Sequence, residues 1–125
     1  MKNTGIIYSS TERTPVVLPE MAELLPPLSE EQLGALETDL LKNGCYTSII
    51  VNEDLVVIDG HNRKSLCDKH GLPYQMLVFA FDDLLEAKQW ALDTQKARRN
   101  LDKWELGKIA LKLKPELEVR EVGGQ

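Results

Sequence analysis

The sequence predicts an α+β domain, a small mixed sheet flanked by helices. Three observations lead there. Capping residues precede stretches whose leucines recur three and four positions apart, short runs rich in Ile, Val and Phe alternate with those stretches, and Gly, Pro and Asn separate the two kinds. The 125 residues fit one domain, and 42% apolar content with only 6% aromatic leaves the core to aliphatic side chains.

Residues 1–14 are polar and unpatterned and read as a flexible arm. Thr14 to Pro19 reads as a short edge strand between prolines. Pro26-Pro27 then bars any continuous helix. Ser29-Glu30-Glu31-Gln32 is a capping box, in which Ser29 caps and Gln32 reaches back. Leu33, Leu36, Leu40 and Leu41 give the helix behind it one apolar face, and Asn43-Gly44 ends it. Ile49 to Val51 and Leu55 to Ile58, separated by Asn52-Glu53-Asp54, predict an antiparallel hairpin.

Lys64 to His70 predicts a helix closed by Gly71 and Pro73, starting within two residues of Arg63, and Met76 to Phe79 another strand. Asp82 or Asp83 caps a helix through Leu92, which the polar stretch Thr94 to Asn100 interrupts. Asp102 and Glu105 cap a final helix from Lys103 to about Leu113. The domain thus spans 15–114, with 115–125 a C-terminal tail or linker.

Composition excludes several classes. No apolar run approaches the ~20 residues of a membrane span, and the first residues hold no signal-peptide core. A cytoplasmic setting, without membrane partners, is the expectation. Cys45 and Cys67 are far apart in sequence, without a zinc or disulfide pattern. Net charge is −5, unevenly spread: residues 1–85 carry −7 and residues 86–125 carry +2. Seven of the basic residues fall between Lys96 and Lys114, a local stripe suited to weak phosphate-backbone contact.

The densest chemistry is Asp59-Gly60-His61-Asn62-Arg63, where an apolar run meets a helix start. A helix N-terminus holds unpaired N–H groups and partial positive charge. Gly60 admits a ligand close to the backbone, Arg63 offers a fork of donors matched to phosphate oxygens, and His61 and Asn62 stand at the rim. Two further candidates are Arg98-Arg99 before Asn100-Leu101, and the loop Gly44 to Ile49, in which Thr47 and Ser48 can bond a ligand.

Taken together and in order, "LSEEQLGALETDLLKNGCYTSIIV", "VVIDGHNR" and "ARRNLDKWELGKIA" closely resemble the ParB-like N-terminal domain of the ParB/sulfiredoxin superfamily. The matches are Gly44 with Ile49 and Val51, Gly60 with Arg63, Arg98 with Leu101, and Glu105. The resemblance implies that fold, and a site for CTP or another nucleotide with Gly60, Asn62 and Arg63 at the phosphates and Arg98 from the third motif. Where that family carries Glu and Asn near a magnesium ion, this chain has Thr94 and Gln95, so Mg²⁺ finds no carboxylate there. His61 stands at the acidic position of the turn, and also where sulfiredoxins carry their catalytic Cys, which argues against sulfiredoxin activity.

The function implied is nucleotide-responsive control of a DNA-associated regulator in plasmid or mobile-element partition, maintenance or transcription. DNA reading is expected from a domain absent from this chain, and a homodimer is the other expected partner. Two alternatives keep the fold: an interaction or dimerisation module without nucleotide, and a nucleotide-using enzyme, kinase-like or hydrolytic, with His61 or Asp59 as acid or base.

Overall fold

A computed structural model describes the backbone of residues 1–99 and side chains through Gln95. The third motif's Arg98 and Arg99 side chains, the basic stripe, the final helix and the C-terminal tail lie outside the described residues. The order is β1 (Lys2–Ser9), α1 (Pro19–Ala22), α2 (Glu30–Asn43), β2 (Ile49–Val51), β3 (Val57–Asp59), α3 (His61–His70), β4 (Gln75–Ala80) and α4 (Leu84–Arg99).

The sheet runs β1-β4-β2-β3, with β2 parallel to β4 and the other two pairings antiparallel. Alternation along the central strands sends side chains to opposite faces. Ile49, Val51, Val57, Met76 and Val78 enter one buried cluster with Leu40, Leu66 and Cys67, roofed by α2 and α3. Ile50, Ile58 and Phe79 enter another with Met21, Ala87 and Ala91, roofed by α1 and α4. Trp90 seals the second roof edge-on against Phe79, ring centroids 5.3 Å apart. Two covered faces explain why the strands read as unbroken apolar runs.

The local signals of the middle of the chain act as anticipated. Ser29 Oγ accepts from the Gln32 N–H at 3.1 Å, while Gln32 Oε1 accepts from the Ser29 N–H at 3.0 Å. Gly44, at φ +74°, closes α2 by donating its N–H to Leu40 O. The hairpin pairs Ile50 with Asp59 and Val51 with Val57. Asn52 Oδ1 builds its turn by accepting from the N–H groups of Asp54 and Val56.

Three readings need correction. Residues 1–14 are not a loose arm: residues 2–9 form β1, which pairs with β4, and a bulge between Asn3 and Ile7 admits Gly5 at φ +74°. The strand expected from Thr14 to Pro19 shrinks to one bridge, in which Val16 donates to Leu55 O and accepts from the Val57 N–H. Beyond it Pro19 opens α1, since proline at a first helical position gives up no needed N–H. Finally, α4 runs through Thr94 to Arg99 without a break, whereas α3 starts at His61, within two residues of Arg63 as expected.

The strand character of the N-terminus is testable. Deleting residues 1–9 removes the β1–β4 ladder, whose hydrogen bonds contribute roughly 0.5–1.5 kcal/mol each. Urea unfolding should show a loss of about 2 kcal/mol or more; an unstructured arm would leave the midpoint unchanged.

Candidate functional site

The site grows out of the end of β3. Asp59 is the last strand residue, and Gly60 takes φ +103°, ψ 22°, a left-handed conformation that swings the chain directly into α3. A Cβ on Gly60 would lie 2.7 Å from Ile49 Cδ1. Ile49 is fully buried, so its side-chain end would have to shift for a Cβ to fit. The glycine is favoured by its backbone angle and by the close Ile49 methyl.

The first intrahelical bond of α3 runs from the Lys64 N–H to Gly60 O at 2.9 Å. The three N–H groups before it, at His61, Asn62 and Arg63, have no carbonyl to meet within the helix. This helix end lines a cleft of about 620 Å³. Opposite stands the segment from Met21 to Leu28, continued by Gln32 and Leu36 of α2; Ala91 and Gln95 of α4 complete the wall. The first side is mostly aliphatic apart from Glu23 and Gln32, and the other carries the donors of the α3 start beside Asp59.

Three groups give the cleft its electrostatics. Among the described residues no carboxylate forms an ion pair with the half-buried Arg63 guanidinium. His61 Nε2 is buried and lacks any hydrogen-bond partner, a costly state for a polar atom unless a ligand or water completes it. Burial also pushes the His61 pKa below its usual value, against the pull of the nearby Asp59 carboxylate, so the ring is neutral at pH 7. Asp59, itself buried, accepts a 2.6 Å hydrogen bond from Gln95 Nε2. That bond fastens α4 to the turn across the cleft floor.

Of the residues singled out in sequence, the structure gathers Gly60, His61, Asn62 and Arg63 around the cleft. Thr47 and Ser48 do not line it. They lie in the loop entering β2, at the same end of the sheet, because Ile49 touches Gly60. Arg98 and Arg99 belong to the last turn of α4, three and four residues beyond Gln95. The Asp59–Gln95 bond and the aliphatic wall from α1 went unforeseen. Only Gln95's place in the third motif signalled the first, and Pro19 at a helix start the second.

Neither a family model nor a curated protein matches the chain. Solved structures do. The C2221 form of a Pnob8-like ParB-N domain superposes with a TM-score of 0.78 at 22% identity, over 96% of this chain and 49% of that one. This chain has the fold of a ParB N-domain. A second pNOB8-like ParB N-domain gives a TM-score of 0.75 at 23% identity, over 98% of this chain and 48% of its own. A third match, at 0.62 and 18% identity over 91% of this chain and 66% of the other, is the C-terminally truncated chromosome-partitioning protein ParB from Caulobacter crescentus, complexed with CTP-gamma-S. The chain spans about half the length of the first two ParB chains. Among the described residues no helix is long and apolar enough to cross a membrane, and no cluster of His, Cys, Asp and Glu suits a metal ion.

Two measurements probe this geometry. Gly60→Ala should cost about 2–4 kcal/mol in denaturant unfolding, combining left-handed strain with overpacking. Ile49→Val removes Cδ1, so in that background the same substitution should cost measurably less. The second concerns pH. With the folded pKa of His61 depressed, the unfolded chain binds the extra proton below about pH 6.5. Stability should fall as pH drops from 7 toward 5.5, and levels off once the folded ring protonates as well. The decline should be shallower in His61→Gln, compared by urea midpoints at each pH.

Proposed function

We propose that this chain is a ParB-like domain that binds a nucleotide by its phosphates at the Gly60–Arg63 turn, and that occupancy of this site controls a DNA-associated assembly of the partition or maintenance type. The observation that carries the reading is His61 Nε2, buried without a hydrogen-bond partner, in the same cleft as Arg63, with which no carboxylate among the described residues forms an ion pair, at the N-terminus of α3. A guanidinium, an orphaned imidazole nitrogen and the first N–H groups of a helix in one cleft are a set that suits an anion. The aliphatic wall from Met21 to Leu36 suits the less polar part of such a ligand, and about 620 Å³ accommodates a nucleotide.

The ParB of Caulobacter crescentus, which shares this fold, was solved with CTP-gamma-S, and CTP is the first nucleotide to try. Positions 98 and 99 lie one helical turn past Gln95, which already reaches the turn. An arginine from there would close over the phosphates. For Mg²⁺, Asp59 and Glu23 are the carboxylates among the described residues that line the cleft, and Gln95 already engages one Asp59 oxygen. DNA contact then falls to another domain, and a second copy of the chain is the natural partner for a nucleotide-controlled contact.

Calorimetry with CTP, ATP and GTP, each with and without Mg²⁺, tests the reading. Arg63→Ala should weaken the bound nucleotide by roughly 10–150-fold, the worth of a charge-assisted hydrogen bond, and leave the unfolding midpoint nearly unchanged. No binding of any nucleotide or phosphate, together with a large loss of stability in Arg63→Ala, would make the arginine a structural residue and end the proposal.

A further inference from the structure

Among the described residues that line the cleft, one is of the type that changes charge near neutral pH. His61, the first residue of α3, is half-buried beside Asn62 and Arg63. Its Nε2 is shut off from solvent and meets no hydrogen-bond partner. A proton added to this ring creates a charge that neither water nor an acceptor at Nε2 relieves.

Charged groups face the ring from three sides. Asp59, at the end of β3, attracts a proton to it, but one Asp59 oxygen is engaged by the Gln95 amide of α4. Lys64 on α3, itself paired with Asp68, opposes protonation, and Arg63 in the same turn carries the same sign. Glu23, on the opposite wall, is the remaining charged residue of the lining. Burial outweighs the Asp59 attraction and holds the His61 pKa below its ordinary value.

Granted the anion site proposed for the Gly60–Arg63 turn, we propose that it binds its anion together with a proton, which His61 takes up, so that the ligand is held more tightly as pH falls. An anion seated on the first N–H groups of α3 and on Arg63 brings negative charge to the His61 side of the cleft. That charge is what the buried ring lacks when it protonates. The anion favours the imidazolium, and by linkage the imidazolium favours the anion. At high pH the ring is neutral with or without ligand, and affinity does not depend on it. Between the pKa of the loaded form and that of the empty form, binding consumes up to one proton and tightens by up to about tenfold per pH unit. Below the pKa of the empty form the affinity levels off.

The test titrates the full chain with sodium sulfate, whose charge is constant between pH 5.5 and 8, against sodium chloride at equal ionic strength. The chain has two histidines, His61 and His70, so their ring NMR signals are assigned with His61→Gln, or with His70→Gln where the first variant does not fold. The expected result is sulfate-dependent shifts at the amides of residues 61–63 and a His61 pKa that rises by about one unit at saturating sulfate. Sulfate should then bind about fivefold more tightly at pH 5.5 than at pH 8, and His61→Gln should lose that difference. Sulfate that binds at the turn while His61 titrates at an unchanged pH would overturn the proton coupling and leave the anion site standing. A His61→Gln chain that keeps the full pH dependence would assign the proton to another group and overturn it too. A chain that binds neither sulfate nor CTP at any pH would remove the anion site and the coupling together.

Discussion

A sheet this small must be covered on both faces, and that constraint organises the molecule. Every residue of the core strands β2 and β3 is buried, so neither face can be left to water. Helices must then alternate between the two sides, and each chain crossing has to turn at the end of a strand. The turn from β3 into α3 is the sharpest, with no connecting residue beyond Gly60. Its tightness exposes a helix end in a cleft between the two roofs.

The same turn shows packing and chemistry acting through one residue. Gly60 lacks a side chain because Ile49 occupies the space, and that absence also brings the α3 backbone within reach of a ligand. The charge balance around it is unusual. Residues 1–85 carry a net −7, which repels anions at a distance, whereas the donors at the turn act only at contact. Capture of a phosphate ligand would thus rest on contacts at the turn rather than on the long-range field of residues 1–85.

Much of this was legible in the sequence, and the reasons differ by element. The capping box at Ser29, the Asn52 turn and the Gly60-to-Arg63 stretch are local: their partners lie within four positions, so the sequence displays both halves. β1 was hidden because it is largely exposed and its ladder to β4 is made from the far end of the chain, which leaves no apolar pattern. The polar residues of α4 looked like a break. Gln95 is polar because it meets a buried Asp59, a partner 36 positions away.

The two borders of the sheet are finished differently. At β3, Val16 takes up backbone groups of Leu55 and Val57, so that border is sealed by the chain itself. At β1, the bulge around Gly5 breaks the register, and a strand approaching from outside would find its hydrogen bonds out of step. The exposed Ile6 and Ile7 sit beside that kink, where they would otherwise invite a neighbouring molecule to extend the sheet. That kink works against edge-to-edge joining of the strands of neighbouring molecules.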